Sequence, residues 1–110
     1  MKEFITPFQD ALARLKSATE WLVGLDKDPN GRAAAANDYL RMFTLTVYGW
    51  MWVRMAAVAL SQRGTNDPFY DTKLGVGRYF MARVLPQVAA CDLAMRAGSA
   101  TIMALPEAAF

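Results

Sequence analysis

The stretch from Tyr39 to Leu60, YLRMFTLTVYGWMWVRMAAVAL, decides the fold of this chain. Wound at 100° per residue, it carries apolar side chains on every side, the pattern of a helix enclosed by others rather than of one lying on a surface. Three faces can be read from it. One carries Leu40, Phe43, Val47, Trp50, Met51, Arg54 and Val58, and a second carries Tyr39, Met42, Thr46, Gly49, Val53, Ala56 and Leu60. Both read as core. The third carries Asp38, Arg41, Leu45, Tyr48, Trp52, Met55 and Ala59, polar at first and then aromatic and thioether-rich, in the manner of interfaces. Leu45, Tyr48, Trp52 and Met55 are therefore expected to face another subunit or domain.

The helical pattern extends back through Ala33-Ala34-Ala35-Ala36, giving a helix over about 32–62 and roughly 45 Å long. Gly24 to Gly31 concentrates turn formers and charges ahead of it, and Pro29 is incompatible with a continuing helix. Before that turn, Phe8, Ala11, Leu12, Leu15, Ala18 and Leu22 share one side of a helix over about 7–24, with Thr6 as its cap and Pro7 in its first position. Residues 1–5 read as a domain start. After Arg63 to Asn66, Asp67 caps and Pro68 opens a third helix over about 68–97, which ends at Gly98. Pro86 lies within it, lacks an amide and crowds the carbonyl of Ala82, so a kink or break is expected there. Ser99 to Met103 reads as a short last turn. The expectation is one all-α domain over residues 1–110, an up-down bundle of three long helices.

With 110 residues, 55% of them hydrophobic, the chain is rich enough in apolar side chains for a packed core. At this length only about 65% of the unfolded surface is buried on folding, so a surplus finishes at an interface. The net charge of +2 is spread without a basic block, which argues against nucleic acid as a partner. No His and a single Cys exclude His-based nucleophile pairs, His/Cys zinc sites and internal disulfides. A lone Cys91 and an N-terminus without a long apolar run fit a cytoplasmic location. The segment over 42–60 is long enough to raise a membrane span, yet Arg54 and Thr44, Thr46 and Tyr48 interrupt it without basic flanks, so no span is expected.

No catalytic or metal-binding constellation stands out. Gly75-Val76-Gly77 is a fragment of a phosphate-binding fingerprint without its third glycine or preceding strand, and reads as helix packing. Asp10 with Arg14 and Asp92 with Arg96 have the spacing of surface ion pairs on a helix. Arg54, central on an apolar face, requires a partner there: Glu3 or Asp71, backbone carbonyls, or an anion shared with Arg78.

DYLRMF over 38–43, YGWMWVRMA over 48–56, FYDTKL over 69–74, RYF over 78–80, RVLP over 83–86 and MALPEAAF over 103–110 together resemble a known family. They are similar to the extra C-terminal helical domain of acyl-CoA dehydrogenases, in the branch that includes the methylthiopropanoyl-CoA dehydrogenase type. The resemblance implies a non-catalytic packing or oligomerisation domain whose partners are further copies or the remaining domains of such an enzyme. It implies FAD for the parent enzyme only: the flavin pocket, acyl-CoA cleft and catalytic glutamate lie in domains that precede this one, so no cofactor or catalytic residue is expected here, Glu107 included. The alternative is a small helical protein or enzyme that binds acyl-CoA or another anionic ligand through Arg54 and Arg78.

Overall fold

Asp28 and Pro29 open the central helix. The Asp28 carboxylate accepts a hydrogen bond from the amide of Gly31 at 3.0 Å, and Pro29 takes the first helical position, where a missing amide costs nothing. In the computed structural model, which describes residues 1–110, this helix, α2, runs Pro29–Ser61. It thus starts three residues before the expected 32. The first helix, α1, spans Lys2–Val23 and is antiparallel to α2 across the turn between them. α3 spans Pro68–Tyr79, α4 Val88–Met95 and α5 Ala100–Met103, with a last 3-10 turn at Glu107–Ala109. The all-α up-down bundle expected from the sequence is what forms.

The start of α1 corrects a boundary. Thr6 does not cap the helix and Pro7 lies inside it, with Met1 at the N-cap. What draws residues 2–5 into the helix is Phe4, which is 0% exposed and shares a face with Ala11, Leu15 and Ala18. Burying a phenyl ring contributes about 2–3 kcal/mol, which offsets most of the roughly 3 kcal/mol that a proline costs inside a helix. Phe4 is therefore part of the core, and residues 2–5 belong to α1.

The third rod is interrupted as expected near Pro86, and the structure shows how. Between α3 and α4 the backbone widens to a π-helical turn over Phe80–Val84 and then tightens to a 3-10 turn over Leu85–Gln87. The Leu85 amide reaches five residues back to the carbonyl of Phe80. Widening just before the proline relieves the crowding of its ring against Ala82 without ending the rod.

The third rod runs parallel to α1. Arg78 of α3 meets Glu3 at 2.9 Å, Arg14 meets Asp92 of α4 at 3.4 Å, and Arg96 reaches Ser17 at 3.0 Å. Asp92 is shared, because Arg96 binds its other oxygen at 2.7 Å. The Asp92–Arg96 pair forms as spaced, whereas Arg14 crosses to α4 instead of pairing with Asp10. On α2, the Tyr39 hydroxyl meets Thr19 of α1 at 2.8 Å. Trp52 stacks on Phe80, with centroids 6.1 Å apart.

Small residues set how closely the rods approach. A Cβ at Gly49 would stand 3.3 Å from both methyls of Leu85 and 3.5 Å from Phe8, so α2 meets α1 and the interrupted rod at that point. Gly77 is tighter: a Cβ there would be 2.8 Å from Phe4 and 2.9 Å from Trp52. Gly75, by contrast, faces open space, so the glycine pair serves packing through one member. Gly77→Ala is expected to lower the unfolding free energy by about 1–3 kcal/mol through overpacking. Urea denaturation followed by circular dichroism measures it, and an unchanged midpoint contradicts this packing.

Candidate docking surface

The three rods enclose little. Only 20 of 110 residues are buried, and the body measures 65 × 30 × 14 Å. Its radius of gyration of 18.4 Å compares with about 13 Å for a compact domain of this length. The accessible surface is 7424 Å², whereas a compact 12.2 kDa protein exposes about 6,100 Å².

Seven of the eighteen exposed large apolar side chains lie on α2, most of them on a different face from the one expected. Leu45 is buried, Trp52 is packed on Phe80, and Met55 is half-buried, so the Leu45–Met55 face looks inward. Only Tyr48 of that set is well exposed. The face that looks outward carries Leu40, Phe43, Val47, Trp50, Met51 and Val58, between 39% and 64% exposed. It was expected to be core. Ala35, Thr46, Gly49, Ala56 and Ala59 on the inward faces let neighbouring helices come close.

The outward face has a regular spacing. One row is Ala36, Phe43, Trp50 and Ala57, and the next is Leu40, Val47, Arg54 and Ser61, all exposed. Steps of three and four residues alternate along it, so the two rows form a seam down one side of the helix. That spacing was present in the sequence. It was hidden because the other faces of α2 are equally apolar.

Arg54 sits on this seam in solvent rather than in the core, so burial imposes no ion pair on it. Its guanidinium lies 5.1 Å from the centroid of Trp50 and forms no salt bridge. The two acids considered for it are engaged elsewhere, Glu3 by Arg78 and Asp71 by Arg63 at 3.6 Å. Arg78 does not line the cleft that Arg54 lines, and Glu3 holds its guanidinium. The cation that joins Arg54 is Lys73, across a cleft of about 520 Å³ between α2 and α3 floored by Met51, Met55, Val58 and Phe69. Lys73 lies 5.2 Å from the Trp52 ring. This cleft opens from the end of the seam.

No three His, Cys, Asp or Glu side chains converge on a point. Cys91 is buried, and Arg41 donates toward its sulfur at 3.6 Å while also bonding Gln87. Thr46, the one buried polar side chain, donates to the carbonyl of Met42. By length and composition α2 is apolar enough to cross a membrane.

The fold is a strand-free helical slab with a rail of apolar side chains along α2. The chain belongs to the Acetyl-CoA dehydrogenase C-terminal like family, whose profile matches residues 1–106. It is thus a C-terminal domain of acyl-CoA dehydrogenase-like proteins. The match ends at Pro106, so the final residues of the MALPEAAF segment lie outside it. Comparison with curated proteins gives no match.

The opposed environments of the two neighbouring tryptophans give a test. Trp52→Ala removes a ring stacked in the core and is expected to lower the unfolding free energy by about 2–4 kcal/mol in urea denaturation. A loss below about 0.5 kcal/mol contradicts the inward orientation of this face.

Proposed function

We propose that this domain is a non-catalytic packing and assembly module of an acyl-CoA dehydrogenase-like protein, and that protein covers the α2 seam. The observation that carries the reading is the unbroken outward row from Ala36 to Ser61, whose single charge is Arg54. An apolar face of that length is uncommon on a monomer. Flavin and acyl chemistry belong, in this reading, to other domains of the parent enzyme, with FAD as its cofactor. The lone buried Cys91 supports a cytoplasmic setting.

Two alternatives have less support. A membrane span through α2 would carry into lipid the helices packed against it, with Arg14, Lys16, Asp92 and Arg96 among their charges. An anionic-ligand site built on Arg54 and Arg78 lacks convergence, since Glu3 holds Arg78.

The test is association of the purified chain. The wild type is expected to sediment as a species larger than 12.2 kDa, and Phe43→Glu with Trp50→Glu to sediment as the monomer with the same helical circular dichroism. A wild type that stays monomeric at about 100 μM, well above the range in which a standard-sized interface forms, overturns the reading.

A further inference from the structure

Two cations and an apolar floor share the cleft between α2 and α3, and no acid lines it. We propose that this cleft binds a linear amphipathic anion, its unbranched tail over Met51, Met55 and Phe69 and its carboxylate or phosphate head at Arg54 and Lys73.

Charge selects the head. The two acids at the start of α3 are engaged elsewhere: Asp67 accepts a hydrogen bond from the amide of Phe69 at 2.9 Å, and Asp71 faces Arg63 at 3.6 Å. Arg54 and Lys73 lie instead over indole rings, 5.1 Å from the centroid of Trp50 and 5.2 Å from that of Trp52. A ring face holds a cation in place without using up its N–H groups, which stay free to donate to an anion. It also restrains two long side chains beforehand, so less rotamer freedom is lost when the anion arrives. Tyr70, half-buried in the same wall, adds a phenolic donor. The cleft reaches the first turn of α3, whose dipole favours negative charge there.

The floor selects the tail. Six of the eight lining residues are hydrophobic, so an inorganic anion would leave most of the cleft in contact with water, whereas a ligand with an apolar chain covers it. The volume of about 520 Å³ lies within the 300–1,000 Å³ or so of small-molecule sites. Met51 and Met55 supply thioether arms that shift to follow a flexible chain. The inference does not rest on the docking reading, because α3 supplies one wall of the cleft and binding is read on the chain by itself.

Isothermal titration calorimetry with decanoate and decyl phosphate tests it, with hexanoate and decyltrimethylammonium as comparisons. One saturable site per chain is expected for a ten-carbon anion at ~1 mM or below. Decanoate is expected to bind at least tenfold more tightly than hexanoate, since each methylene removed from water contributes up to about fourfold. The cationic amphiphile is expected not to saturate. Arg54→Gln with Lys73→Gln weakens binding of the anion at least tenfold with unchanged helical circular dichroism, while Lys27→Gln with Arg32→Gln, two exposed cations outside the cleft that remove the same charge, leaves it unchanged. Equal binding of decyltrimethylammonium overturns the inference in favour of adsorption to apolar surface, and equal weakening by both pairs of substitutions overturns it in favour of net charge. Flotation with phosphatidylglycerol vesicles separates a free ligand from a lipid surface: a chain that floats with them yet binds neither free anion overturns the enclosed tail, and a chain that does neither overturns the site. Each of these results leaves the sedimentation test of the docking reading untouched.

Discussion

The structure depends on one imbalance: α2 is apolar around its whole circumference, and the rods beside it cover only part of that circumference. α1 takes one side through Phe4, Ala11, Leu15 and Ala18, and α3, the widened turn and α4 take another through Leu74, Phe80, Leu85, Val88, Cys91 and Met95. Each contributes one stripe, as an amphipathic helix does. A helix of 33 residues and about 50 Å needs a further neighbour to become enclosed.

Which face remains open follows from size rather than hydrophobicity. Helices approach most closely where side chains are small, so the rods settle on Ala35, Thr46, Gly49, Ala56 and Ala59. Gly49 against Leu85 and Gly77 against Phe4 and Trp52 fix the register of that approach. Once the rods are seated there, Phe43 and Trp50 point outward. The π-helical turn before Pro86 serves the same end, because it keeps the third rod continuous along α2 through a proline that would otherwise break it.

Much of this was legible in the chain and some was not. The three rods, the interruption near Pro86 and the family resemblance can all be read from residues. Asp67-Pro68 and Asp28-Pro29 both open helices, and at Asp28-Pro29 the turn formers around the pair mask that start in the sequence. The start of α1 was misplaced because a capping pattern at Thr6 was weighed against no knowledge that Phe4 would be enclosed. That α2 carries more apolar surface than its neighbours cover was legible, but not which of its faces stays open. A helix apolar on all sides has no preferred inward direction by composition, and the discriminating signal was the clustering of small residues on two of its faces. Arg54 followed the same error: on a face taken to be buried it needed an acid, and on the open face it needs none.

The central claim is that the Leu40–Val58 face of α2 is covered by protein in the associated state. Fluorine NMR of the chain carrying 5-fluorotryptophan tests it, by comparing resonance positions in H2O and D2O across a concentration series. Trp50, 45% exposed in the single chain, is predicted to lose its solvent isotope shift as concentration rises, while Trp52 stays constant. A Trp50 resonance equally solvent-shifted at every concentration would contradict the account.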